Sequence, residues 1–250
     1  MTPLVVAGLQ KRFGGLAATD GLDLTVAGGE LHAVIGPNGA GKTTLINQLS
    51  GEIRPDAGRI EFQGVDITHA PAHRRSLIGI SRSYQITSVL RGFTALQNVA
   101  MAVQAHAGHS FGFWSPAARD RALTGPAAAA LEQVGLAHRA QARADELAHG
   151  EQRQLELAMA LATRPRLLLL DEPMAGMSQR EAENIVALLA ALKGRYSILL
   201  VEHDMDAVFA LADRITVLVY GRAIACGTTD EIRASPQVRE AYLGDEEAEA

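Results

Sequence analysis

Eight residues, Gly36–Pro37–Asn38–Gly39–Ala40–Gly41–Lys42–Thr43, constrain this chain more than any other stretch. They fit the spacing G-x-x-x-x-G-K-[ST]. The glycines let the backbone curl so that successive N–H groups point at one anion. Lys42 adds a compact positive charge that can reach outer phosphates, and the Thr43 hydroxyl can ligate Mg²⁺. Thr44 follows as a further nucleotide-contact candidate. Leu31–Ile35 reads as a buried strand entering the loop, and Lys42–Leu49 as a helix leaving it. The positive end of that helix then faces the phosphates. Only three lysines occur, Lys11, Lys42 and Lys193, and one of them stands where the motif needs it.

A chain of 250 residues with 48% apolar content is one large domain, or a core with a subdomain, and can bury a sizeable core. No apolar run approaches the roughly 18–20 residues of a membrane-crossing helix. The N-terminus lacks a signal-peptide pattern. A net charge of −5 argues against bulk nucleic-acid binding. The single cysteine, Cys226, leaves no internal disulfide and fits a reducing compartment; on a strand it reads as a small apolar filler.

Around the phosphate loop, Leu4–Leu9 and Leu22–Val26 read as short strands, with Phe13 on an exposed loop before Gly14–Gly15. There it can stack on a base or serve as an ordinary core residue. Arg59–Phe62 and Gly79–Ser83 read as strands, the second leading to Tyr84–Gln85. Gln85 can ligate a metal or position water through its amide, or be structural. Asn98–Ala105 and Ala118–Val134 look helical, with Gly125–Pro126 expected to break or start a helix. His106 and His109 read as loop residues. This middle third lacks strand patterning and reads as an inserted helical subdomain.

Leu147–Ala148–His149–Gly150–Glu151–Gln152 opens a helix through Thr163, and a glycine at a helix start is a second anion-site candidate. Four leucines, Leu167–Leu170, run into Asp171–Glu172–Pro173. Carboxylates at the C-terminal end of a buried parallel strand sit where ligands bind in open α/β sheets. Asp171 can hold the Mg²⁺ that Thr43 also holds, and Glu172 can accept a proton from an attacking water. A helix over Gln179–Lys193 and a strand over Ser197–Val201 follow, the strand ending at Glu202–His203–Asp204. His203 there faces the same crevice and can donate to a phosphate oxygen. Ile215–Val219 and Ala223–Cys226 form a hairpin around Gly221; Thr228–Ala234 and Pro236–Leu243 read as short helices before an acidic tail, Asp245–Ala250.

The order of these motifs resembles the ATP-binding cassette of ABC transporters over nearly the whole chain. The implied fold is α/β: a P-loop NTPase ABC cassette with a mixed sheet core, an N-terminal antiparallel β subdomain and an inserted helical subdomain. One cassette would span 1–250, with 1–84 and 165–250 as nucleotide-binding core and about 85–164 as the helical subdomain carrying the signature. The resemblance implies adenine stacking by Phe13, phosphate binding by Gly36–Thr43, Mg²⁺ on Thr43, Gln85 and Asp171, and a general base at Glu172. It makes Gln85 a Mg²⁺ sensor that contacts the membrane partner, and His203 the switch histidine on the γ-phosphate. Ala148, His149, Gly150 and Glu151 fall in the signature, which binds the ATP of an opposite subunit. A head-to-tail dimer with itself or a second cassette is therefore expected, with ATP and Mg²⁺ bound between the two.

A narrower set of matches is similar to the larger cassette of branched-chain amino-acid importers. These are Arg12–Phe13–Gly14–Gly15–Leu16, Leu147–Gly150 followed by Glu151–Gln152–Arg153–Gln154–Leu155–Glu156, Glu202–His203–Asp204–Met205, and Glu240–Ala241–Tyr242–Leu243–Gly244. Such systems imply two transmembrane permease subunits, an external substrate-binding protein, no nucleic acid, and a peripheral place on the cytoplasmic face of the inner membrane. The signature departs from the commonest pattern at Ala148 and His149, and Ser178 stands where Asp is usual. Other cargos (other amino acids, amides, urea, aromatic acids), lipopolysaccharide export and a soluble ABC ATPase stay open here. A P-loop kinase leaves Gly150 and His203 unexplained.

Overall fold

The computed structural model describes residues 3–83, 89–107 and 120–240. Two sheets sandwich one helix. Strands β1 (Leu4–Phe13), β2 (Leu16–Val26), β4 (Ala57–Phe62) and β5 (Val65–Asp66) form an antiparallel sheet in the order β2-β1-β4-β5. The second sheet contains β3 (Leu31–Ile35), β6 (Ile80–Ser83), β7 (Leu167–Asp171), β8 (Ser197–Val201), β9 (Arg214–Val219) and β10 (Arg222–Gly227). Its order is β10-β9-β3-β8-β7-β6, parallel throughout except for the antiparallel β10–β9 edge. The expected mixed sheet and N-terminal antiparallel sheet are both present.

Every residue of β3, β7 and β8 is buried, which explains why these strands read as near-continuous apolar runs. Side-chain alternation divides each of them between two cores. Leu167, Leu169, Leu199 and Val201 pack with Leu45, Ile46 and Leu49 of α1 (Lys42–Ser50) and with Leu4, Leu9 and Ile60 of the antiparallel sheet. Leu168, Leu170, Ile198 and Leu200 pack on the opposite side. There they meet α3 (Ala95–Ala107), α4 (Arg121–Gln133), α5 (His149–Ala162) and α6 (Gln179–Leu192). By this parity Asp171 continues the Leu167–Leu169 face, toward α1.

Arg75, on α2 (Ala72–Leu77), is 2% exposed and ties off α1. Its guanidinium donates to the carbonyls of Gln48, Leu49, Thr68 and Ala70 at 2.8–3.0 Å. Two short helices follow, α7 (Met205–Leu211) and α8 (Thr229–Ala234), and residues 236–240 are helical as well.

Four sequence expectations are corrected. Lys11–Phe13 is not loop: β1 continues to Phe13, which pairs with Leu16 across a two-residue Gly14–Gly15 turn. Gly125–Pro126 does not interrupt α4, because Leu123, Ala127, Ala130 and Leu131 bury one face across it. His106 belongs to α3. Cys226 is exposed on β10, with Arg214 Nη2 at 3.5 Å from its sulfur, and is no apolar filler. Tyr84, Gln85, His109 and the tail 241–250 lie outside the described residues.

Candidate active site

Strand order and register assemble the crevice. β3, β8 and β7 are neighbours, with Val34 opposite Val201 and Val201 opposite Asp171. The chain leaving each strand therefore emerges at one level: Gly36–Thr43 after β3, Glu202–His203 after β8, and Glu172 after β7. The Glu172 N–H donates to the Val201 carbonyl at 2.9 Å, fixing the last two together.

The phosphate loop is shaped by what lies behind it. Gly36 (φ +153°) and Gly41 (φ +103°) back onto the carbonyl oxygens of Leu218 and Ala18, and a Cβ at either glycine would overlap those oxygens. Gly41 also starts α1, whose first turn has neither a side-chain cap nor an acidic residue. An uncapped N-terminus with a lysine at its first position suits an anion. Lys42 is 7% exposed. Its Nζ donates to the Gly36 and Pro37 carbonyls at 2.6 and 3.0 Å. Burial pushes its ammonium pKa down, against the opposing charges of Glu172 and Asp171. Ala40 is buried, Thr44 and Pro37 are half-buried, and Asn38, Gly39 and Thr43 are exposed.

Asp171 is 1% exposed. Burial pushes its carboxyl pKa up, opposed by the neighbouring Arg82 and Lys42. Its Oδ2 accepts from Arg82 Nη2 at 3.1 Å, while its buried Oδ1 has no hydrogen-bond partner among the described residues. A buried carboxylate oxygen left unpaired is costly, and it fits a hard divalent cation that takes oxygen ligands. Arg82 is held by Asn47 Oδ1 at 2.6 Å and Glu52 Oε2 at 2.9 Å.

Glu172 adopts φ +47°, a left-handed conformation unusual for a residue with a side chain. Such conformations concentrate at functional sites. His203 is largely exposed, its Nδ1 lying 4.0 Å from Glu172 Oε1 and 3.7 Å from Glu202 Oε2. Asp204 caps α7 by accepting from the Ala207 N–H at 3.1 Å, which sets the chain direction just after His203.

The signature residues lie at the start of α5. Ala148 is its cap residue, and the Ala148 N–H donates to Glu151 Oε2 at 2.9 Å, so Glu151 caps its own helix. The Gly150 N–H donates to Glu181 Oε1 on α6 at 3.1 Å. Glu181 Oε2 also accepts from Ser178 N at 3.0 Å and Ser178 Oγ at 2.6 Å. Phe13 stays 49% exposed, with Lys11 Nζ 5.6 Å from its ring centre.

Lys42, Asp171, Glu172 and His203 are thus gathered by the three strand ends. Sequence reasoning missed Arg82, Glu181 and Glu202. Glu202 was visible inside the run Glu202–His203–Asp204, but a strand-end carboxylate next to a histidine carries no role until its partners are known.

Comparisons with known proteins identify the family. The ABC transporter family profile matches residues 19–175. A profile for branched-chain amino acid ATP-binding cassette transporters matches residues 224–248. The high-affinity branched-chain amino acid transport ATP-binding protein BraF of Pseudomonas aeruginosa is 41% identical over 249 residues, covering 97% of this chain and 98% of that one. LivG of Escherichia coli K12, named for the same transport, is 38% identical over 249 residues with the same coverage. A crystal structure of an ABC transporter cassette in its ADP conformation superposes with a TM-score of 0.86 at 30% identity, covering 98% of this chain and 99% of that one. The chain belongs to the ABC transporter family as a nucleotide-binding cassette whose ATP hydrolysis is coupled to transport.

Proposed function

We propose that this cassette is the energy-coupling subunit of an importer for branched-chain or related amino acids. It would work as one half of a head-to-tail cassette pair beneath two permease subunits, on the cytoplasmic face of the inner membrane, with an external binding protein delivering cargo. The cargo reading is supported by the names of the relatives and by the C-terminal profile.

The observation that carries the chemistry is the alignment of Gly36–Thr43, Asp171–Glu172 and His203 on three adjacent parallel strand ends. The loop backbone, Lys42 and the uncapped start of α1 hold the phosphates of ATP, and the exposed Phe13 offers a face to the adenine. Thr43, Asp171 and Gln85 would hold Mg²⁺, which when bound neutralises charge on the phosphate oxygens. Glu172 takes the proton of the attacking water, and His203 donates toward the γ-phosphate oxygen as negative charge builds on it. Gly150 at the start of α5 serves the nucleotide of the opposite cassette. The Glu181 carboxylate now on its N–H must move aside for that contact to form.

Glu172→Gln tests this reading. The amide keeps the shape but is a far weaker base, so kcat should fall by about 10²–10⁴-fold while ATP affinity stays within about twofold. Turnover at the wild-type rate would remove Glu172 from the chemistry. The same variant, tagged and held with ATP, should recover two polytopic membrane proteins and a second cassette from detergent-solubilised host membranes. Recovery of ribosomes or soluble proteins alone would refute the importer assignment.

A further inference from the structure

We propose that Glu202 is a positioning residue for ATP turnover, tying the loop that follows Glu172 to the backbone that carries His203. Its side chain is 1% exposed. Oε1 accepts the Met174 N–H at 3.1 Å, and Oε2 accepts the His203 N–H at 3.0 Å. Pro173 has no N–H, so Met174 is the first residue after Glu172 able to donate. One carboxylate thus grips the first available donor beyond the general base and the amide of the switch histidine.

The choice of residue supports a role beyond packing. A buried carboxylate is expensive unless it is fully bonded. Burial pushes the Glu202 carboxyl pKa up, while the Met174, His203 and Asp204 N–H groups pull it back. Its ion-pair contact is the exposed His203 ring, at 3.7 Å, longer than a hydrogen bond. An apolar side chain would fill the space at less expense but leave the Met174 and His203 N–H groups without this acceptor. With the carboxylate in place, a displacement of either strand end carries the other with it. Met174, Gly176, Met177, Glu202 and His203 all line one open cavity between α6 and α7, so the clamp sits next to space into which the loop could otherwise move.

This inference rests on the roles assigned above to Glu172 and His203. The test uses the full chain and two readouts. Glu202→Gln retains one carbonyl oxygen and turns an NH₂ toward the other backbone donor, so one arm of the clamp is lost. Amide hydrogen exchange at Met174 or His203 should accelerate by about tenfold, with β7 and β8 amides unchanged. In steady-state assays kcat for ATP should fall about tenfold while KM stays within about twofold. Glu202→Asp, which keeps the charge but is one methylene shorter, should lie between wild type and Glu202→Gln in both readouts. Unchanged exchange at both amides would overturn the clamp, whatever happens to activity. Faster exchange with unchanged kcat would overturn its part in turnover. Accelerated exchange throughout β7 and β8 would reduce Glu202 to a general packing residue and also overturn the proposal. Glu172→Gln run in parallel separates the two failures: if that variant turns over normally, the reading of Glu172 falls, while the exchange data still judge the clamp.

Discussion

At the scale of single residues, electrostatic neighbours decide behaviour that residue type alone does not. Cys226 shows this outside the crevice. Thr216 is its cross-strand partner, and His32, 1% exposed, bonds Thr216 Oγ1 at 2.8 Å through Nε2 and Glu30 Oε1 at 2.9 Å through Nδ1. The neighbouring His32, joined by Thr216 and Arg214, pulls the thiol pKa down to about 6. A thiol is the reactive species only when ionised. The iodoacetamide rate should therefore rise through a midpoint near 6 and be flat above about pH 7, where an ordinary thiol with pKa near 8.5 is still titrating. Arg214→Gln, at an exposed position, should move the midpoint upward. A wild-type midpoint above 8 would show that these neighbours do not hold the thiolate. Sequence reasoning placed Cys226 on its strand but not beside His32, because those residues are 194 positions apart. Glu202, Arg82 and Glu181 escaped for the same reason, reaching partners 28, 89 and 31 residues away. The positions of Asp171 and His203 were legible because one ends an apolar strand and the other follows closely after one, and that of Lys42 because the glycine spacing ahead of it is local in sequence.

At the scale of elements, boundaries were legible where burial and chemistry agree. β3 and β8 span the residues the sequence suggested, since both are apolar runs buried on both faces and ended by loop residues. The misses came where packing overrode local preference: β1 runs on through charged residues because two strands flank it, and α4 runs through Pro126 because its apolar face is buried. Arg75 shows an element secured in a way no local pattern reveals. Its four carbonyl contacts join the end of α1 to the segment Thr68–Ala70 ahead of α2. Burial lowers its pKa to about 10, which leaves it charged at neutral pH. Hydrogen bonds from a charged donor are each worth about 1.5–3 kcal/mol. Arg75→Met fills the volume but leaves the carbonyls unpaired, so stability should fall by about 3 kcal/mol, read as a drop in Tm of about 6–12 °C. Arg75→Lys should recover part of it, since an ammonium has three donors but no planar fork. A Tm for Arg75→Met within about 2 °C of wild type would mean that α1 is held by its apolar face alone.

At the scale of the whole molecule, α1 joins the proposed phosphate site to the fold. Its first residue is Lys42 of the phosphate loop, and its side chains Leu45, Ile46 and Leu49 belong to one apolar cluster with strands of both sheets. Free energy gained at its N-terminus therefore reaches the antiparallel sheet as well as the parallel one, and the two should melt together. A ligand bound only by the folded state adds RT ln(1 + [L]/Kd), about 2.7 kcal/mol at a hundred times Kd. For a chain of this length that raises Tm by about 5–11 °C. ATP should accordingly shift one unfolding transition, followed in parallel by far-ultraviolet circular dichroism and by calorimetry. Lys42→Ala removes the buried ammonium, so at the same ATP concentration about 1.4 kcal/mol of that gain should vanish for each tenfold loss of affinity. Lys42→Ala also removes two hydrogen bonds from a charged donor, to the Gly36 and Pro37 carbonyls at 2.6 and 3.0 Å, so the shift is measured against the variant's own Tm without ATP. A shift confined to one of two separate transitions would mean that α1 does not couple the sheets. An undiminished shift in Lys42→Ala would mean that the loop binds ATP through its backbone and helix start alone.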